Sequence, residues 1–221
     1  MTFVLVGGRV SLDLLATLDE RRDAATELLD EPVRAAEWAV VAGLVDELFP
    51  VGPDELLAVH QVREALYRAV AARGGADRLR AADIAALNRA ARPGPVTLTM
   101  GWNGSLRRRG DVAQVLSSVV RDGLELLAGP QLDRVRECDR PACTRLYVDA
   151  SRTRNRRWCD MAECGNRAKV AAFRHRQHGW GERTDPFALG PPAPLTAVRG
   201  RVDPRRLGGF PADRSGHPFQ S

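Results

Sequence analysis

Lysine is nearly absent from this chain, since Lys169 is the single lysine and all the other basic residues are arginine. Such a bias can follow from a GC-rich genome, so the choice of arginine over lysine carries little functional information. The position of the charge is more informative. Residues 1–137 carry a net charge of −3, residues 138–176 carry +6 and residues 177–221 carry +2. The positive charge therefore belongs mainly to residues 138–176.

Long apolar runs are also absent, because no run approaches the roughly 18 apolar residues that a membrane span needs. The first residues, MTFVLVGGRVSLDLL, have no basic segment, and their four-residue apolar run is followed by Gly7, Gly8 and Arg9. This pattern is a poor match to a signal peptide. We therefore expect a cytoplasmic protein with no membrane partner and with reduced thiols.

Catalytic motifs are missing as well. The chain has no recognisable Ser-His-Asp arrangement, glycine-rich phosphate loop or paired-histidine motif, so we do not expect an enzyme. His60, Arg63 and Tyr67 share helical spacing and could line a pocket for a small molecule, although such residues more often lie at the edge of a core. Asp13, in an apolar and strand-like stretch, is interpreted as a cap or a buried hydrogen-bond acceptor.

Cysteine is scarce but regularly placed. The four cysteines form the pattern C-x4-C-x15-C-x4-C: Cys138, Cys143, Cys159 and Cys164. Free thiols paired by chance would not explain the equal spacings, and two disulfides would suit a small secreted domain. A tetrahedral zinc site fits best, because two short loops then supply two thiolates each. We expect one structural Zn²⁺ per chain, since four thiolates leave no position for a reactive water.

The remaining patterns predict an α+β protein with a mostly helical N-terminal domain and a small β-hairpin. Apolar spacing predicts helices over 31–49, 52–75, 81–91 and 111–129. Alternating residues from Val96 to Met100, followed by the turn signal WNGS, predict the hairpin. We divide the chain into an N-terminal domain (1–133), a small cysteine module (134–178) and a Pro/Gly-rich tail (179–221) that we expect to be disordered.

Within the cysteine module, the residues between the two pairs suggest two short strands and a bend, and the residues after Cys164 suggest a helix. This order predicts a small treble-clef-like zinc finger. Trp158 is expected to pack against the metal site. Gly165 would let the backbone pass close to the metal, and Asn166 would bond to nearby backbone groups.

The stretch WCDMAECGNRAK resembles the CGNR zinc finger, whose tetrapeptide is Cys164–Arg167 here. The preceding region resembles the ABATE domain through LDLLAT (12–17), EWAVVAGL (37–44), VREALYRAV (62–70) and DIAALNRA (83–90). The first motif departs from the family pattern, with Leu14, Leu15 and Ala16 where Phe, Val and Asn are usual. The resemblance implies a transcription regulator induced by stress, of a mostly bacterial family.

The basic residues of the module form the predicted nucleic-acid contacts: Arg152, Arg154, Arg156, Arg157, Arg167, Lys169, Arg174 and Arg176. We expect a transcription regulator whose finger contacts DNA phosphates and whose N-terminal domain senses a signal or forms a homo-oligomer. Alternatively, the finger docks on an acidic protein and does not bind DNA. The cations could also serve only to balance the charge of −2 on a zinc tetrathiolate centre.

Overall fold

Helices alternate with three separate two-stranded antiparallel sheets in the computed structural model, which describes residues 2–73 and 79–180. The expected α+β class is confirmed. The helices are α1 (Val10–Leu15), α2 (Pro32–Val41), α3 (Pro53–Arg73), α4 (Ala81–Ala90), α5 (Val112–Ala128) and α6 (Asn166–Trp180). The strands are β1 (Leu18–Asp19), β2 (Thr26–Glu27), β3 (Thr97–Met100), β4 (Leu106–Arg109), β5 (Val135–Glu137) and β6 (Leu146–Val148). The expected disordered tail lies outside the described residues from residue 181 onward.

The main core forms around α5, which packs against α1, α3 and α4. A capping box begins α5: the Asp111 carboxylate accepts a hydrogen bond from the Gln114 N–H at 2.9 Å, and the Gln114 side chain accepts one from the Asp111 N–H. The helices contribute fully buried side chains, including Leu12, Leu66, Val119 and Val120. These helices therefore supply the centre of the main core.

Helix α2 ends earlier than the sequence predicted, at Val41 rather than near residue 49. Gly43 adopts φ +71°, a left-handed conformation that favours glycine, and the Leu44 N–H donates to the Ala39 carbonyl at 3.0 Å. The chain turns there, so Val45 reaches the core from a loop. The apolar residues after the turn had resembled a continuation of the helical stripe.

The strand-like interpretation of the stretch around Asp13 was wrong, because Val10–Leu15 form α1. Leu12, Leu14 and Leu15 are all buried, and a short segment buried on several sides shows no helical period. Asp13 is a hydrogen-bond acceptor, as expected: its carboxylate accepts from the Gly7 N–H at 2.8 Å. Burial raises the pKa of Asp13, although this hydrogen bond acts in the opposite direction.

The hairpin predicted after Val96 is confirmed. Strand β3 pairs antiparallel with β4 from Thr97 opposite Arg109 to Met100 opposite Leu106. The turn between them closes with a hydrogen bond from the Gly101 N–H to the Ser105 carbonyl at 2.8 Å.

The strands of the cysteine module differ from the prediction. Strand β6 lies between the two cysteine pairs, but its partner β5 precedes Cys138, so the hairpin encloses the first pair. Val148 at the end of β6 belongs to the main core, and its N–H donates to the Gly7 carbonyl at 2.9 Å. Residues on both sides of the predicted 133/134 boundary belong to one compact unit ending at His178. That boundary therefore stays a prediction. None of the described helices has the length and apolar character that crossing a membrane requires.

Candidate metal centre

The four cysteines converge from two loops. Cys138 and Cys143 lie in the turn that joins β5 to β6. Cys159 precedes a π-helical turn (Met161–Gly165), and Cys164 lies within that turn immediately before α6. The Asp160 carboxylate accepts hydrogen bonds from the backbone N–H groups at the start of this turn, which fixes the second loop.

The geometry of the sulfur atoms fits zinc. All four thiols are buried, and their Sγ atoms lie within 4.8 Å of one another. Cys143 and Cys159 are 3.8 Å apart, and Cys159 and Cys164 are 3.5 Å apart. Four sulfurs bound to one tetrahedral ion at about 2.3 Å lie about 3.8 Å apart. The donor set is therefore that of a closed structural zinc site.

The interactions between neighbouring thiols also favour a bound cation. The hydrogen bond from Cys159 lowers the pKa of Cys143, so one thiolate forms readily. That interaction raises the pKa of Cys159, and burial raises the pKa of Cys164. Without a cation the Cys143 thiolate opposes ionisation of Cys159 and Cys164, because like charges repel. A bound Zn²⁺ would remove this opposition and hold all four as thiolates.

Two arginines, the buried Arg145 and the half-buried Arg140, lie beside the cluster. Arg145 is 6% exposed and donates to Asp19 at 2.6 Å and to Glu163 at 3.1 Å. Burial opposes its charge, but Asp19 and Glu163 raise the pKa of Arg145 above its ordinary value. Burial opposes the charge of Arg140 in the same way, but the Cys164 sulfur and the Glu20 carboxylate raise the pKa of Arg140 above its ordinary value. These two cations therefore offset the negative charge of the thiolates inside the protein.

The end of β1 and the loop that follows it hold the finger against the N-terminal region. The residues from Asp19 to Arg22 each contact the cysteine module: Asp19 with Arg145, Glu20 with Arg140, the Arg21 N–H with Thr144, and Arg22 with Glu137. The sequence-based interpretation missed this role. Four consecutive charged residues, DERR, were the available signal, but nothing local identified their partners more than 100 residues away.

The residues expected to support the finger lie around the cluster. Trp158 packs against the cysteines. The Asn166 side chain donates to the Ala162 carbonyl at 2.9 Å. Gly165 is buried, and a Cβ atom there would lie 2.9 Å from the Met161 sulfur. A larger residue at this position would displace the Met161 side chain, which is flexible and 48% exposed.

Arg156, one of the predicted DNA contacts, is committed to the finger itself. Its guanidinium donates to the carbonyls of Trp158 and Cys159 and stacks over the Tyr147 ring at 4.4 Å. The Tyr147 hydroxyl in turn donates to the Arg156 carbonyl at 2.6 Å. These contacts order the approach to Cys159, so Arg156 acts as part of the scaffold.

The other predicted contacts lie on the surface. Arg152, Arg154, Lys169 and Arg174 are exposed. Arg157 is mostly exposed and pairs with Asp139 at 2.7 Å, and Arg167 pairs with Glu163 at 3.4 Å. Arg176 lies in α6, beyond the last residue whose side chain is described. The structure thus separates exposed cations from those held inside the protein.

His60, Arg63 and Tyr67 belong to a polar network at the edge of the core. Arg63 is buried and donates to both carboxylate oxygens of Glu27. His60 contacts the Leu29 carbonyl at 2.9 Å, and the Tyr67 ring lies under the Arg21 guanidinium at 4.1 Å. Burial alone would raise the pKa of Glu27, but the Arg63 hydrogen bonds hold it below its ordinary value. These groups satisfy one another, which favours the core-edge interpretation over a pocket.

The fold and the site define a zinc-binding protein with a helical N-terminal region and a tetracysteine finger. A family model for ABATE, described as "Putative stress-induced transcription regulator", matches residues 8–130, and a model for the CGNR zinc finger matches residues 134–177. The first match covers more than half of the chain, so the protein belongs to the ABATE family. A search of curated proteins found no match. These findings confirm the resemblance and the single structural zinc.

Protein purified without added metal should contain one zinc per chain, because four buried thiolates form a closed tetrahedral site. Elemental analysis on protein of known concentration would measure this. A thiol reagent should react with the four cysteines only after a chelator has removed the metal. A folded, zinc-free protein containing a disulfide would contradict the assignment.

Proposed function

We propose that the protein is a cytoplasmic bacterial transcription regulator that acts in a stress response and binds DNA through its finger. In this proposal the N-terminal region senses a signal, such as a small molecule, or mediates self-association. The role is regulatory rather than catalytic. The observation that carries the proposal is a cationic groove on the finger.

This groove, of about 530 Å³, lies between α6 and the two cysteine loops. Helix α6 contributes three small side chains to it: Ala168, Ala171 and Ala172. The other residues that line the groove are four cations, one acid and two apolar residues: Arg140, Arg157, Arg167, Lys169, Asp139, Pro141 and Trp158. Small residues allow close approach, and the surrounding cations favour an anionic backbone such as DNA phosphate.

The distribution of ion pairs supports the same role. Arg140 and Arg145 are the cations whose charges act directly on the thiolates. Arg152, Arg154, Lys169 and Arg174 are exposed and form no ion pair with a described residue. Uncommitted cations of this kind supply the sequence-independent part of DNA affinity by releasing counterions.

Changing Arg167 and Arg174 to Ala together should weaken DNA binding and reduce the salt dependence. Each lost phosphate contact lowers the slope of log affinity against log salt by about one unit. Binding to labelled duplex DNA, measured over a series of salt concentrations, would test this. Zinc content should stay at one per chain, because neither residue is a thiolate ligand.

Arg89→Ala is a matched control, since Arg89 is an exposed arginine on α4 in the N-terminal region. The control removes one charge without touching the finger, so DNA affinity should change little. Unchanged DNA affinity in a zinc-loaded double variant would rule out α6 as the contact surface. Loss of zinc in that variant would instead indicate that its cations stabilise the metal site.

A second candidate function is docking of the finger on another protein. The favouring observation is that Val170 and Phe173, one turn apart on α6, are 48% and 53% exposed. Apolar side chains at this spacing suit a protein groove better than a phosphate backbone. Phe173→Ala should weaken such docking while leaving the salt dependence of DNA binding unchanged.

A further inference from the structure

The β3–β4 hairpin presents an apolar face to solvent. Leu98 is 60% exposed, Met100 is 73% exposed and Leu106 is 40% exposed. Because Met100 lies opposite Leu106 and Leu98 lies two residues before Met100, all three side chains share one face of the hairpin. The opposite face carries only polar side chains: Thr97, Thr99, Arg107 and Arg109. Arg108, opposite Leu98, shares the apolar face, and its guanidinium pairs there with Asp46 at 3.6 Å.

The outer edge of β4 is already occupied. The Asp46 N–H donates to the Arg108 carbonyl at 3.1 Å, and the Arg108 N–H donates to the Asp46 carboxylate at 2.7 Å. The backbone groups of Arg108 therefore point away from β3. In an antiparallel pair, opposite residues alternately exchange two hydrogen bonds or none. Leu98 and Arg108 are consequently a pair that exchanges none.

It follows that the N–H and C=O groups of Leu98 point away from β4, as do those of Met100 two residues later. Val96 points its N–H to the same side and donates to the Ser118 hydroxyl at 3.0 Å, so α5 covers the start of this edge. From Leu98 onward, no described residue forms a hydrogen bond to the edge. Open edges are usually protected by charge or proline, whereas β3, with sequence TLTM, carries neither.

We propose that the open edge of β3 pairs with β3 of a second copy of the chain. A two-fold axis at Thr99 would place Leu98 of each copy opposite Met100 of the other copy. The outward N–H and C=O groups of each facing pair would exchange two hydrogen bonds, so the two pairs would form four. The apolar faces of the two hairpins would then join. An acidic partner would be drawn instead to Arg107 and Arg109, and it would leave the apolar face and the edge uncovered.

This inference rests on the proposed function, because it specifies how the suggested self-association occurs, and it is tested without DNA. Sedimentation velocity of the full chain should show a dimer, and Leu98→Lys combined with Met100→Lys should give a monomer of half the mass. Leu57→Lys is the matched control, because Leu57 is 55% exposed on α3, and it should remain a dimer. A monomer in this experiment would contradict the dimer but would not affect the proposal that the finger binds DNA.

Cross-linking tests the register. Thr99 would lie opposite Thr99 of the second copy, as a pair that exchanges no hydrogen bonds. The two Cα atoms would be about 4.5 Å apart, a distance that a disulfide can bridge. Thr99→Cys should therefore give a disulfide-linked dimer in glutathione disulfide. Thr97 is on the same side of the sheet, but it would lie opposite residue 101 of the second copy. Thr97→Cys should therefore give no disulfide-linked dimer. A monomeric unmodified chain would overturn the proposal and leave the edge for an extended segment of another protein. Equal cross-linking of both variants would also overturn it.

Discussion

Cys164→Ser should leave the protein without zinc and with residues 138–176 unfolded. The cysteine module has a small core of its own, made of the four cysteines and Tyr147. Structural zinc binding supplies apparent free energies of about 10–16 kcal/mol in small finger modules, so the loss of one thiolate removes most of what folds this one. Elemental analysis and limited proteolysis would measure the outcome.

The N-terminal region should survive this change as a fragment ending near residue 130, because helices α1 to α5 form most of the main core. The fragment should unfold at a lower urea concentration than the intact chain, since the core loses Val148 and its hydrogen bond to Gly7. Val170→Ser is the matched control: it also introduces serine into the finger, at an exposed site. Simultaneous digestion of both regions would show that the finger is an integral part of the larger core.

Arg145→Ala should lower the free energy of unfolding by about 1–3 kcal/mol, because the change leaves the half-buried carboxylates of Asp19 and Glu163 without their cation. Arg145 is 6% exposed and links Asp19 of the N-terminal region to Glu163 of the second cysteine loop. The finger should consequently detach from the β1–β2 loop. Urea unfolding followed by circular dichroism would measure the change in stability.

Arg22→Ala provides the comparison, because Arg22 also joins the two regions, through Glu137, but is 63% exposed. Exposed ion pairs contribute about 0–1 kcal/mol, so this variant should unfold almost as the original protein does. Equal losses in both variants would mean that burial does not determine the strength of these contacts. A small loss at Arg145 would mean that the finger is held mainly by its apolar contacts.

Local signals in the sequence predicted most of the helices. Pro53 with two following acids lies at the beginning of α3, and Asp111 lies at the beginning of α5, and both are typical signals of a helix start. These signals act within one turn of a helix, so neighbouring residues suffice to recognise them. The end of α2 was missed because a glycine within an apolar stretch indicates a turn only when its backbone conformation is known.

The strands of the finger could not be assigned in the same way. Two short strands were predicted between the two cysteine pairs, but only β6 lies there, and its partner β5 precedes Cys138. Pairing depends on contacts between residues distant in sequence, and the turn that closes this hairpin also carries two zinc ligands. The metal site and the strand register are therefore determined together in the folded chain.

The sequence by itself determined the chemistry of the metal centre, because cysteine type and spacing are sufficient to specify a tetrathiolate zinc site. Only the tertiary structure decided what each arginine does. In sequence, Arg145, Arg156 and Arg167 are equivalent cations near a cysteine. In the fold the first is buried between acids, the second supports the loop before Cys159, and the third lies in the surface groove. The difference arises because burial and ion pairing depend on residues such as Asp19, which lies 126 positions from Arg145 in the chain.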